Sequence, residues 1–217
     1  MALVRIIPIV LYEGTQAVIT PHFRERRPVG SVVGLARLYA SRQVDELVFL
    51  DIGHGTEPNF EVVRAFAKEL NCPFAVGGSI YSLDDAARLL EIGVDRIVVK
   101  RCTITVVEEI VRRYGQQAVI GALDFDDYCP LWSTSIVGEL LVQSVAHDGT
   151  QAGFDLNLIE DAVSTARRPV IAASGLGCVE HAVAAVKAGA SAVAGAAIFQ
   201  FTSITPFDIA KGLALQG

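Results

Sequence analysis

Eight short apolar runs recur along the chain, at residues 4–10, 46–51, 73–77, 96–100, 118–124, 139–145, 169–173 and 192–196. Longer amphipathic runs separate most of them, at 31–42, 59–70, 82–92, 104–114, 155–166, 178–188 and 205–214. This alternation constrains the fold more than any single motif. The short runs are β-branched and lack polar alternation, as parallel strands covered on both faces require. The longer ones carry helix signals. In SLDDAARLLEI, Ser82 is an N-cap with Asp85 three residues on, and Ala86, Leu89 and Leu90 form one apolar face. Thr205-Pro206 starts another helix, with proline at its first position. Eight strands alternating with helices predict an α/β chain closed into a (β/α)₈ TIM barrel.

A two-fold repeat supports closure. Residues 77–102, GGSIYSLDDAARLLEIGVDRIVVKRC, parallel residues 174–199, SGLGCVEHAVAAVKAGASAVAGAAIF. Each holds a glycine turn, a helix and a second strand. Only 14 residues lie between Asp124 and Glu139, and they include Pro130, Thr134, Ile136 and Val137, which disfavour a helix. The fifth helix is therefore expected to be missing or reduced to a turn, with Trp132 and Ile136 either covering the bare flank or lying in the loop. No linker or composition shift divides residues 1–217, so one domain is expected.

The chain is 52% hydrophobic with a formal net charge of −6. That balance excludes nucleic acid as the main partner, because phosphate-backbone binding needs clustered Lys and Arg. A small phosphorylated ligand is not excluded, since backbone N–H groups can hold one. Cys72, Cys102, Cys129 and Cys178 are far apart, and His22, His54, His147 and His181 lack ligand spacing. No metal or cofactor is expected. No run reaches the roughly 20 residues that span a bilayer. MALVRIIPIVLYEG reads as a first core strand, and reduced thiols point to the cytoplasm.

Active sites of such barrels gather where strands end and βα loops begin. Asp51, Asp124 and Asp148 fall there, able to orient a polar ligand, to act as acid and base, or to cap their loops. The glycine turns VGGS (76–79), ASGLG (173–177) and GAAIF (195–199) follow strands 3, 7 and 8 and can approach an anion. A ligand with a phosphate at each end becomes plausible. Lys100 and Arg101 add positive charge beside the first turn, unless they form a solvated rim pair. At the opposite end, Arg5, Glu46, Arg96 and Glu139 each begin an apolar strand. Pointing inward, they would form a ring of alternating sign. It reads either as an ion-pair layer closing the barrel floor or as a gate for a small molecule entering from below.

The segments RIIPIV, FRERRPVG, LARLYASRQVDELVFLDI, CPFAVGGSI, YGQQAVIGALD, HDGTQAGFD and AASGLGCVEHAVAAVKAGASAVAGAAIF resemble, in order, the cyclase subunit of imidazole glycerol phosphate synthase. The resemblance implies a (β/α)₈ barrel with a glutaminase partner on its N-terminal face. Ammonia would pass through the barrel to a phosphorylated substrate at the top. It implies that Arg5, Glu46, Arg96 and Glu139 form the ammonia gate and that Asp95 belongs to the docking surface. It further implies that Asp124 is catalytic and that phosphate is held by Gly77, Gly78, Ser79, Ser174, Gly175, Gly177, Gly195 and Ala196, while the rim positions of Asp51, Asp148, Lys100 and Arg101 make these four the expected substrate contacts.

The top departs from the family pattern. The first catalytic aspartate falls at Leu11, which cannot transfer a proton, and a first-loop lysine falls at Ile19. Lys100-Arg101 stand for an Asn-Thr pair, and Ala146 for an acid. Several functions follow. The chain is a synthase subunit adding ammonia to a phosphorylated or nucleotide-linked acceptor, a histidine-pathway cyclase, or a non-catalytic barrel that binds a glutaminase or a phosphorylated metabolite. A phosphosugar isomerase would need two opposed acid/base groups, and Leu11 counts against it.

Overall fold

The structure is a computed structural model that describes residues 4–100, 104–124 and 136–216. Its first element, β1 (Arg5–Glu13), leads into an antiparallel hairpin of β2 (Gln16–Ile19) and β3 (Arg27–Ser31), then α1 (Val32–Ser41). Three strand–helix units follow: β4 (Leu47–Asp51) and α2 (Phe60–Ala67), β5 (Phe74–Gly77) and α3 (Leu83–Ile92), β6 (Arg96–Val99) and α4 (Ile104–Tyr114). Then come β7 (Val119–Asp124), β8 (Glu139–Gln143), α5 (Leu156–Ala166), β9 (Val170–Ala172) and α6 (Val179–Lys187). The chain ends with β10 (Ala192–Gly195), α7 (Ala197–Phe201) and α8 (Pro206–Gln216).

Strand order is β10-β9-β8-β7-β6-β5-β4-β1, and β10 pairs back to β1 in parallel, Arg5 opposite Ala192. Eight parallel strands thus close into the expected (β/α)₈ barrel. The expected missing fifth helix, and Trp132 with it, fall largely outside the described residues. Ile136 is described, and it packs against the core between strands and helices.

The period of two along each strand divides the core. Ile7, Ile9, Val48, Val98, Ile120, Leu141, Ile171 and Ala194 fill the barrel interior. Their neighbours in sequence, such as Val10, Phe49, Ile97, Val119 and Val193, face the helices. The Ser82–Asp85 pair is a complete capping box, and Leu89 beneath it is fully buried. Thr205 and Asp208 exchange the same two hydrogen bonds at the start of α8.

The repeat has a steric basis. Gly78 has φ +98°, and a Cβ there would lie 2.1 Å from the Asp51 carbonyl oxygen. Gly175, at the matching place in the second half, has φ +108°, and its Cβ would lie 2.0 Å from Gly153 O. Each turn packs its backbone against the preceding βα loop, and only glycine fits both the conformation and the gap.

At the N-terminal end, Arg5, Glu46, Arg96 and Glu139 form a closed ring. Arg5 Nη1 reaches Glu46 Oε2 at 2.9 Å, and Arg96 Nη1 reaches Glu139 Oε2 at 2.6 Å. Arg5 also contacts Glu139, and Arg96 contacts Glu46. Each arginine therefore touches both glutamates, which are almost fully buried. Removing one carboxylate leaves two guanidinium groups on the other. Glu139→Ala is expected to cost about 3 kcal/mol, read as a lower urea midpoint. A midpoint unchanged from the native chain would contradict this reading of the floor.

Candidate active site at the barrel mouth

The parity that points the four floor charges inward acts again at the strand C-termini. Leu11 is six residues beyond Arg5, Lys100 four beyond Arg96, and Gln143 four beyond Glu139. All three line the mouth, with Asp124 from β7. The mouth has two lobes. The larger encloses about 490 Å³ and is bounded by Asp51, His54, Gly78, Ser79, Lys100 and Asp124. The smaller encloses about 40 Å³, against Asp148, Ser174, Gly175, Gly195 and Ala196. Leu11, Thr20, Phe23 and Gln143 line both lobes and form the waist between them.

Asp124 is only 6% exposed. Its Oδ2 is in contact with Lys100 Nζ, which comes from the neighbouring strand. Its Oδ1 is buried with no hydrogen-bond partner among the described residues. Lys100 also lies 5.7 Å from the centre of the Phe23 ring. Ser79 Oγ, in the same lobe, is buried and unpartnered among the described residues too. Unsatisfied buried polar atoms are costly, so two of them on residues that line one cavity single it out as the candidate site for a polar ligand.

Asp51 borders the large lobe, but its Oδ1 accepts a hydrogen bond from Gly53 N–H at 2.8 Å. It therefore does what a loop cap does while remaining at the cavity wall. Burial pushes its carboxyl above the usual range, against the Gly53 bond. Asp148 faces the small lobe, with Thr20 Oγ1 at 3.4 Å and Ser174 Oγ at 3.5 Å. Burial raises its carboxyl to about 6 despite these donors.

The large lobe thus holds one of the three predicted anion turns, and the small lobe the other two. Two turn residues do other work. Gly77 packs against Val98 and Leu50, and Gly177 donates its N–H to His181 Nδ1 at 3.2 Å. Arg101 lies outside the described residues. Asp95 is exposed on the opposite face and accepts from Phe74 N–H at 2.9 Å, beside a groove of about 360 Å³. Among the described residues no cluster of His, Cys, Asp or Glu could hold a metal ion, and no helix is long and apolar enough to cross a membrane. Sequence reasoning missed the waist. Gln143 was legible as a polar residue on the inward parity of an apolar strand. Thr20 and Phe23 were not, because the β2–β3 hairpin that carries them across the mouth was read as loop.

A closed parallel barrel with an acid–amine pair and three glycine turns at its C-terminal mouth defines a (β/α)₈-barrel enzyme. A family model described as "Histidine biosynthesis protein" matches residues 5–134 and 127–205. The chain belongs to that family, and its sequence is of the imidazole glycerol phosphate synthase subunit HisF type. Imidazole glycerol phosphate synthase subunit HisF of Clavibacter michiganensis is 35% identical over 244 aligned positions, covering 99% of this chain and 93% of its own. The subunit HisF of Thermobifida fusca is 32% identical over 248, covering 99% and 97%. A Campylobacter jejuni protein provisionally named imidazole glycerol phosphate synthase subunit hisF2 is 33% identical over 238, covering 98% and 96%.

Asp148 gives a pH signature. The carboxyl is raised, so it is neutral below about pH 6 and repels an anion above it. Sulfate, whose charge is constant here, is expected to bind on the order of tenfold more weakly at pH 8 than at pH 5. Asp148→Asn isolates the carboxylate: titration calorimetry should show most of the pH dependence gone. A dependence unchanged in that variant would contradict the assignment.

Proposed function

We propose that this chain is a synthase subunit that adds glutamine-derived ammonia to a phosphorylated acceptor and cyclises it. Asp124 acts as the acid/base at the mouth, and Asp51, Asp148 and Lys100 orient the acceptor. The turns at Gly78-Ser79 and Ser174-Gly175, with Gly195 and Ala196, hold a phosphate in each lobe. Gly77 and Gly177 shape those turns. The observation that carries this reading is the buried Asp124 Oδ1, without a partner among the described residues, in the wall of a large lobe that a waist joins to a second lobe, with glycine turns in both. A carboxylate so placed reaches the middle of a ligand anchored at both ends.

Ammonia reaches that point from a glutaminase docked on the N-terminal face, where Asp95 borders an open groove. Arg5, Glu46, Arg96 and Glu139 gate its entry. The assembly works as a barrel domain in the cytoplasm, without nucleic acid or membrane. Leu11 favours a second reading, in which the acceptor differs from the bisphosphate of the histidine pathway. It is 8% exposed, apolar, and stands where the family pattern has its first aspartate.

The test is turnover of the imidazole glycerol phosphate synthase bisphosphate with saturating ammonium salt at alkaline pH. Free ammonia removes the need for the glutaminase. The unaltered chain is expected to release imidazole product, and Asp124→Asn to run at least about 10²-fold slower. Product from Leu11→Asp alone would select the second acceptor. No product from either chain would contradict ammonia addition to this acceptor class.

A further inference from the structure

We propose that Lys100 is a second catalytic residue, the proton donor at a mouth whose Leu11 position cannot supply one. The inference rests on the ammonia-addition reading above. Lys100 follows β6 on the inward parity set by Arg96 and Val98, and it borders the large lobe together with Asp124 and Leu11. Its ammonium contacts Asp124 Oδ2, while Asp124 Oδ1 stays unpartnered among the described residues. Donor and acceptor therefore stand side by side in the wall of the same cavity. The Lys100 side chain is 38% exposed, so a ligand in the lobe can reach it. Among the described residues no other acid in the mouth offers this pairing. Asp51 is engaged by Gly53 N–H, and Asp148 belongs to the small lobe.

The chemistry closes within the pair. Ammonia attacks an acceptor carbonyl carbon, its lone pair forms the C–N bond, and the C=O π electrons move to oxygen. Lys100 Nζ gives that oxygen a proton and becomes a neutral amine. Asp124 Oδ1 takes a proton from the attached nitrogen, which leaves a neutral carbinolamine. A half-turn of the carboxyl presents that proton to the Lys100 amine, and both groups return to their starting charge. No proton is gained or lost from the site. Leu11, Leu50 and Ala122 on the same wall keep the exchange between these two groups.

The experiment measures kcat and KM with ammonium salt for the unaltered chain, Lys100→Met and Lys100→Arg, with thermal unfolding as the check of fold. Lys100→Met is expected to lower kcat at least about 100-fold with KM within about threefold. Lys100→Arg keeps a cation beside Asp124, and so the fold, but does not release its proton. It should remain at least about tenfold slow. An arginine variant at the native rate would overturn the proposal and leave Lys100 a charge partner only. A native kcat in Lys100→Met would overturn it as well. Absence of turnover in both the unaltered chain and Leu11→Asp would overturn the ammonia-addition reading itself, and this assignment with it.

Discussion

The ring of Arg5, Glu46, Arg96 and Glu139 is the constraint around which the barrel is organised. Four charges beneath an apolar interior are tolerable only when each meets an opposite charge on both sides. That requirement fixes the parity of β1, β4, β6 and β8. Once Arg5 points inward, so does Leu11; once Arg96 does, so does Lys100. Shifting any of these strands by one residue would bury a charge against the helices and turn a mouth residue away from the cavity.

Between the two ends lies a packed column of Ile, Val, Leu and Ala side chains. It joins the charged floor to the mouth. At the top, low polarity raises the weight of each charge that remains. Asp124 meets it with Lys100, which leaves one oxygen buried without a partner among the described residues. Asp148 meets it with long contacts to Thr20 and Ser174, and its carboxyl is raised accordingly. The two acids thus differ in environment, and that difference supports different roles: proton exchange in the large lobe, ligand orientation in the small one.

Much of this was legible. Charges that open apolar strands announced the floor, because a strand start at that parity has nowhere else to put them. Ser82 with Asp85 announced a helix start through its own capping chemistry. Both features depend on residues close in sequence. The hairpin was harder to see. β1 runs through Tyr12 and Glu13, turns at Gly14-Thr15 and pairs with β2, Leu11 opposite Val18. A two-residue turn with glycine inside an alternating stretch is a hairpin signal, but it was absorbed into the loop expected after a barrel strand. The Lys100–Asp124 contact was not legible, because the stagger between β6 and β7 decides which inward residues meet. Gly177 shows the converse. Its N–H goes to His181 four residues on, a local contact that removes it from anion binding.

The account turns on ammonia crossing the floor and meeting its acceptor at the mouth. The most direct test follows nitrogen rather than rate. The chain and its glutaminase partner are supplied with glutamine labelled at the amide nitrogen, together with an excess of unlabelled ammonium, and the product is analysed by mass spectrometry. Delivery through the barrel predicts product that carries the label well above its share of the dissolved ammonia pool. Product labelled only in proportion to that pool would contradict passage through the ring and leave the floor a structural ion cluster.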